Sequence, residues 1–542
     1  MCSIAGLINK KGDDISDNLK EMLDLTEHRG PDGSGIAIGT SIKKAETVED
    51  LDVENLKGNC GIGHSRLRIT GTSGIQPLYG CGRRFVLAFN GEIWNYKELK
   101  EELMSEGHTF KTDSDGEVIV HLVEEKFQNS SSFASAVSEA FRELDGEYAF
   151  VVYDVINNIF VLVRDPIGVK QLYYDENSKY IGFCSEKKPL WNLDLKPKRV
   201  LPGEIVEIRL DKEIGGYNFE IDCENKLKVS KVEIYEESEA LEKYRKALFD
   251  SVEKRILEQR KIGIIFSGGV DSVIVAQIAK QLGADITCYT SGLSDSSDVI
   301  NAKKVAQKLN FNLRVNELTE EQINRELKDI IAAIESTNHL QVDVAIPIFL
   351  AVKLAKQDGI RVMLTGQGAD ELFAGYPWYP DVLAEYGPDK LNESLWNDIK
   401  NLYKDTLERE DKITMYHSIE LRVPFLDPEV IKVAMSTSEK LKIKDEEVKY
   451  IHRRLAVDID IPEFISWRPK EAAQHGSKVH DALKNVIEKR KVDVSFPKIK
   501  EEKFNGSGEE LGSAYRYSHD VYENNESIQR VLDQIGSEIG VY

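Results

Sequence analysis

The sequence predicts two domains of different class: an α+β domain over residues 1–210 and an α/β domain with a parallel sheet over residues 238–542, with a linker at 211–237 between them. Length is the first reason. At 542 residues the chain exceeds what a single hydrophobic core supports, so more than one domain is expected. Texture is the second: as far as residue 210 the chain consists of short β-type runs (GIGHSRLRI, RFVLAFNGEI, YAFVVYDV, NIFVLVRD) joined by turn residues, the mark of hairpins. The third is a change of rhythm after Ser238, where strand-like and helix-like runs alternate. That alternation implies parallel strands with helices packed on them.

In the first half, Asn90-Gly91 lies inside the alternating run FVLAFNGEIWNY and on pattern alone reads as a type I′ hairpin turn. Ser114-x-x-Glu117 reads as a capping box opening the helix EVIVHLVEEKF, and leaves Asp115 without a structural reason. The stretch DKEIGGYNFEIDCENKLKVSKVEIYEE, after Leu210, loses periodicity and gains polar residues, which makes it the linker. The second half then runs through the helix SEALEKYRKALFDSVEKRILEQR, strand GIIF, a helix, strand DITCYT, the helix VINAKKVAQKLN, a further helix and strand IRVMLTG. The polar segment 495–515 is expected to be mobile.

With 41% hydrophobic and 30% charged residues the composition is that of a soluble globular protein. The formal charge of −22 argues against nucleic acid and anionic membrane as partners, since both demand clustered basic surface. No apolar run approaches the roughly 20 residues that span a bilayer, and MCSIAGLINKKGDD carries its charges after the apolar stretch, the reverse of a secretory signal. A cytoplasmic location is expected. The six cysteines are scattered with no C-x-x-C, which argues against a disulfide framework and a zinc site.

Two places carry chemistry. In IIFSGGVDSVIVAQIAKQL, residues 264–282, a buried strand, a glycine turn and a helix starting near Val270 bring backbone N–H groups and the positive end of a helix dipole to one point. That suits an anion; a plain tight turn with Ser267 as cap is the alternative. Neither G-K-[ST] nor G-x-G-x-x-G is present, so neither a Walker lysine nor a dinucleotide is implied. Asp271 instead stands where it would reach Mg²⁺ on phosphates, which suits a reaction that releases pyrophosphate. The other place is Cys2. If Met1 is removed, its thiol is joined by a free α-amine with a pKa of roughly 7.7–8.0, able to act as base for its own nucleophile.

SGGVDS is similar to the phosphate loop of the ATP pyrophosphatase family. Together with MCSIAGL, HRGPDGSG, FNGEIWNY, TDSDGEV, RDPIGVKQLYY, TGQGADELFAGY, LRVPFLD and WRPKE, in that chain order around it, the sequence resembles the glutamine-hydrolysing asparagine synthetases over nearly its whole length. The resemblance implies an amidotransferase domain folded as a four-layer αββα sandwich, followed by an ATP pyrophosphatase-type α/β domain. It implies that Cys2 attacks the glutamine amide while the Asn90 side chain and the Gly91 N–H stabilise the oxyanion. Arg66, Glu92 and Asp115 would bind glutamine, Arg66 its α-carboxylate and Asp115 its α-ammonium. His28 and Arg29 would be scaffold.

In the second domain the resemblance implies that Ser267, Gly268, Gly269, Asp271 and Ser272 cradle pyrophosphate, with Mg²⁺ on Asp271 and Asp370. Ile265, Thr290, Gly292, Thr365 and Gly366 would line adenine and ribose. Lys449 and Lys470 would be the catalytic cations of adenylate formation, and Gln367 with Asp370 would face the acceptor. ATP and Mg²⁺ are the implied cofactors; glutamine, ATP and aspartate are the small-molecule partners, and a homodimer is compatible. Two departures stand out, for the family usually has glutamate at 367 and proline at 171, where this chain has Gln367 and Gln171. The expected reaction is L-aspartate, L-glutamine and ATP to L-asparagine, L-glutamate, AMP and pyrophosphate, through a β-aspartyl-adenylate and channelled ammonia. Amidation of a different carboxylate stays open beside it, as does a low-activity regulator that binds glutamine or nucleotide, because of Gln367. Ring closure has no use for a glutaminase half, and tRNA thiolation fits neither the acidic charge nor the missing C-x-x-C.

Overall fold

The computed structural model describes residues 2–211, 216–223, 227, 231–259, 261–469, 476–490 and 526–541. It divides into two compact units, Met1–Lys228 with Met415–Ser418, and Val229–Thr414 with Ile419–Tyr542. The polar segment at 495–515, expected to be mobile, lies outside the described residues.

The first unit contains a seven-stranded and a six-stranded sheet with antiparallel pairing throughout. Period-2 alternation gives each sheet two apolar faces. Ile4, Ile62, Val86, Ala88, Ala149 and Val151 meet in one core between the sheets. Leu87, Phe89, Phe150 and Val152 turn the other way, onto helices Glu117–Phe127 and Phe133–Glu143. On the seven-stranded sheet, Ala5, Leu7 and Ile36 pack on helix Ser16–Asp24 through Leu19, Met22 and Leu23. The result is the helix–sheet–sheet–helix sandwich. Strand Gly216–Cys223 falls inside the stretch read as a linker and pairs with Glu204–Asp211 at the edge of the six-stranded sheet. Its weak periodicity is that of an edge strand, with Ile221 exposed and Tyr217 and Phe219 half-buried.

The second unit is built on five parallel strands in the order Asn312–Glu317, Asp285–Gly292, Lys261–Ile265, Val362–Leu364, Glu420–Arg422. The inner strands are buried apolar runs, with Ile262, Ile264, Val362, Met363 and Leu364 inaccessible. From Lys261–Ile265 the chain first builds outward through Asp285–Gly292 and later returns to Val362–Leu364 on the other side. That reversal is a topological switch point, and doubly wound sheets bind ligands there, at the carboxyl ends of the strands. Both sequence motifs, SGGVDS after Ile265 and TGQGADE after Leu364, leave from those two ends. Among the described residues no single helix is long and apolar enough to cross a membrane.

Candidate active site

Each unit gathers one cluster of the predicted residues. In the first, Cys2 opens strand Cys2–Asn9 directly opposite Arg66, the last residue of strand Cys60–Arg66. Burial pushes the Cys2 thiol up, against the pull of the Leu67 amide and Arg66. The Cys2 N–H donates to Asn90 Oδ1 at 2.8 Å, and Asn90 Nδ2 is a buried donor with no partner among the described residues.

The hairpin-turn expectation for Asn90-Gly91 is overturned. Both residues lie within strand Phe85–Ile93, opposite Ala149 and Tyr148. The glycine serves a close approach: at φ 145° a Cβ on Gly91 would stand 2.1 Å from the Glu147 carbonyl oxygen. The capping box is also absent. Helix Glu117–Phe127 has Gly116 at its N-cap, and the Glu117 carboxylate turns back to accept the Lys111 and Thr112 amides at 2.8 Å.

Arg66 Nη2 donates to the carbonyls of Thr70 at 3.1 Å and Gly71 at 3.3 Å, and its Nη1 is buried without a partner among the described residues. Thr70 in turn donates its hydroxyl to Glu92 at 2.7 Å. Asp115 accepts the Ile93 amide at 2.9 Å, which ties it to the residue after Glu92. Arg66, Glu92 and Asp115 are therefore fixed around Asn90-Gly91 by backbone and hydroxyl contacts. Arg29, fully buried, donates to the Cys2 carbonyl at 3.2 Å and pairs with Glu186 at 3.1 Å, as does His28 at 3.0 Å. Both brace the strand that carries Cys2. Gln171 is a buried acceptor for Arg164 at 2.6 Å and part of that loop's packing.

In the second unit helix Val270–Gln281 starts directly after the glycine turn, so Gly269, Val270 and Asp271 present its N-terminus at the switch point. Gly268 takes φ 71°, and a Cβ on Gly366 would meet Asp271 and the Ser272 amide at 2.9 Å, so the two loops touch through glycine. Ser272 donates its hydroxyl to the Gly269 carbonyl at 3.1 Å, and the Gly269 amide reaches Ser267 Oγ at 3.3 Å. Ile265 and Gly292 end their strands, with Thr290 two residues earlier and buried.

Lys449, 2% exposed, places Nζ 2.7 Å from both Asp271 oxygens and 2.7 Å from Asp370. It can do so because residue 375 is glycine: a Cβ there would lie 2.1 Å from both Asp370 Oδ1 and Lys449 Cε. Burial alone would raise the Asp271 carboxyl, but Lys449 and His452 outweigh it and hold it well below the usual carboxylate range. Burial likewise opposes the charge on Lys449, and the two carboxylates overcome it and raise its pKa. His452 Nε2 sits 2.9 Å from Asp271, and its Nδ1 is 2.8 Å from the Tyr244 hydroxyl. Burial holds His452 below its ordinary value, so a neutral ring that accepts from Tyr244 and donates to Asp271 satisfies both contacts. Lys470 lies outside the described residues.

Gln367 Nε2 donates to Glu410 at 2.5 Å, and the Thr365 hydroxyl approaches the other oxygen of the same carboxylate at 3.4 Å. Glu410 is inaccessible, on helix Glu408–Tyr416 just after the π-helical turn Tyr403–Leu407. Burial raises its carboxyl to about 7 against the pull of Arg409, Gln367 and Thr365. Glu410, Tyr244, His452 and Gly375 were not found from the sequence. Only His452 had a usable signal, three residues after Lys449 and so one helical turn away.

Residues 1–206 match the glutamine amidotransferase domain family, and residues 243–388 and 383–505 match the asparagine synthase family. A putative glutamine-hydrolysing asparagine synthetase of Methanocaldococcus jannaschii is 36% identical over 90% of this chain and 96% of its own. The glutamine-hydrolysing asparagine synthetase of Sandersonia aurantiaca is 30% identical over 88% of this chain and 87% of its own. That of Bacillus subtilis is 26% identical over 92% of each. With both halves matched in one order and a 36% identical relative covered almost end to end, the chain belongs to the glutamine-hydrolysing asparagine synthetase family.

Proposed function

We propose that this protein makes L-asparagine from L-aspartate in the cytoplasm, through a β-aspartyl-adenylate that is attacked by ammonia released at Cys2 and passed on internally. Residues 1–210 would be the glutaminase and residues 238–542 the synthetase. The observation that carries the reading as a working synthetase, rather than a low-activity regulator, is the Gln367–Glu410 pair. Where the family usually keeps a glutamate at 367, this chain keeps a carboxylate one side chain further on, hydrogen-bonded to the glutamine that replaced it. Glu410, its carboxyl raised to about 7 by burial, would serve as the base for the proton lost when ammonia attacks. Gln367, its Nε2 committed to Glu410, offers Oε1 as an acceptor.

ATP would lie across the switch point with its phosphates on the amides that follow Ser267. Mg²⁺ fits the donor set, because Asp271 and Asp370 bring hard oxygens to one cationic point, each 2.7 Å from Lys449 Nζ. Bound there, the ion would supply charge neutralisation at the departing pyrophosphate. Lys449 and Lys470 would stabilise the phosphate on which the adenylate forms. In the other half, Asn90 Nδ2 and Arg66 Nη1, buried donors without a partner among the described residues, would be filled by an oxyanion and an α-carboxylate.

The test is an acceptor panel. Given ammonium, ATP, Mg²⁺ and a set of amino-acid and dicarboxylate acceptors, the protein should release AMP and form a new amide with aspartate. AMP release with another carboxylate and none with aspartate would overturn the reading.

A further inference from the structure

We propose that Cys81, His108, His121 and Glu124 form a four-ligand zinc site in the first unit, outside either active site. The four come from three segments: Cys81 from the turn between strands Leu78–Tyr79 and Phe85–Ile93, His108 from the loop after helix Tyr96–Ser105, and His121 with Glu124 from one face of helix Glu117–Phe127. One ligand atom from each lies within 4.8 Å of all the others. Two edges, between the nitrogens and from sulfur to His121, have the lengths that a tetrahedron of zinc ligands requires, and the two from the carboxylate to the rings are longer by a few tenths of an ångström. Metal–nitrogen distances of about 2.0–2.1 Å and a metal–sulfur distance of about 2.3 Å give edges of about 3.3 Å between nitrogens and about 3.6 Å between nitrogen and sulfur. The two Nδ1 atoms are 3.3 Å apart, Cys81 Sγ is 3.6 Å from His121 Nδ1, and Glu124 Oε2 is 3.7 and 3.8 Å from the two rings.

The surroundings aim these atoms inward. His121 Nε2 lies 3.5 Å from Glu117, and His108 Nε2 faces Glu125 at 3.2 Å, a carboxylate behind that ring with Nδ1 turned to the centre. That is the arrangement that fixes a metal-bound histidine's tautomer. The Thr109 amide points at Cys81 Sγ at 3.3 Å, and Glu124 is held by the amides of Cys81 at 2.7 Å and Gly82 at 2.6 Å. One cysteine sulfur, two imidazoles and one carboxylate make a four-donor set that suits Zn²⁺. The site would brace helix Glu117–Phe127, whose N-terminal approach carries Asp115. Cysteine spacing argued against zinc only because no two ligands except His121 and Glu124 are neighbours in sequence.

Untagged full-length protein should contain one zinc per chain by elemental analysis. The stripped protein, titrated with Co²⁺, should develop tetrahedral visible bands and a thiolate-to-cobalt band, and should unfold at a lower temperature than the zinc-loaded form. Cys81→Ser, at an exposed position, should fold, keep glutaminase turnover and lose the sulfur band. Glu125→Gln, which touches no metal, should weaken Co²⁺ binding by about 10- to 100-fold. Zinc content far below one per chain in the wild type, or a six-coordinate cobalt spectrum without a sulfur band, would reduce the cluster to a hydrogen-bonded group and overturn the proposal.

Discussion

In the first unit the groups proposed to receive substrate are left open: Asn90 Nδ2 and Arg66 Nη1 are buried donors without partners among the described residues. In the second unit Lys449, Asp271 and Asp370 are closed on one another at 2.7 Å. The contrast follows from what each site is proposed to hold. A glutamine zwitterion and its oxyanion bring the charge that completes a pocket already shaped for them, and backbone contacts can hold such a pocket ready. Phosphates and a metal ion would instead compete with an internal ion pair in which Lys449 neutralises Asp271 and Asp370. A lost residue should therefore affect mainly chemistry in the first unit, and chemistry with stability in the second.

The sharpest way to break that comparison is Asp271→Asn. AMP release is expected to fall to background and the second unit to lose stability, because a buried ammonium is left with one carboxylate, while glutamine hydrolysis continues. Unchanged AMP release would return SGGVDS to a plain turn. Next in size is Glu410→Gln, expected to slow asparagine formation by roughly 10²- to 10⁴-fold. Adding Gln367→Glu in that background should restore it, which a merely structural role for Glu410 would not allow. Gln367→Glu alone crowds two carboxylates where one hydrogen bond of 2.5 Å was, and should lose activity. A gain from that single change would mean that Glu410 contributes no base.

Gly375→Ala is expected to cost about 1–3 kcal/mol in the second unit's unfolding and to depress AMP release without touching glutaminase. Its new Cβ would lie 2.1 Å from Lys449 Cε and Asp370. The smallest effect concerns pH. Glu410's carboxyl is raised from 4.5 to about 7 in the folded protein, so between those values the folded state holds the extra proton. Stability should then be greatest at acid pH on this group's account and fall as pH rises toward and past 7. Denaturant midpoints from pH 5 to 8 should slope less in Glu410→Gln; equal slopes would contradict the shift.

The strand–glycine–helix signature at Ile265–Ser272 was legible because all its parts are contiguous, and the alternation after Ser238 correctly gave a parallel sheet whose switch point receives both loops. Asn90-Gly91 misled because glycine serves close strand approach as readily as it serves a turn, and only the partner strand distinguishes them. Ser114-x-x-Glu117 failed because the Lys111 and Thr112 amides took the Glu117 carboxylate. Glu410 left no local sign at all, 43 residues from its partner and on another element. The same holds for Cys81, His108 and His121, which only the fold brings together.

The division of labour between the halves is tested most directly by Cys2→Ala, supplied in turn with amide-¹⁵N-labelled glutamine and with ¹⁵N-labelled ammonium in the presence of ATP, Mg²⁺ and aspartate. Wild type should form labelled asparagine from either source, with AMP in equal amount. The variant should form none from glutamine and keep the wild-type rate from ammonium. Loss of the ammonium-driven reaction as well, in a variant that unfolds at the wild-type temperature, would contradict the separation of a thiol that only releases ammonia from a synthetase that only consumes it.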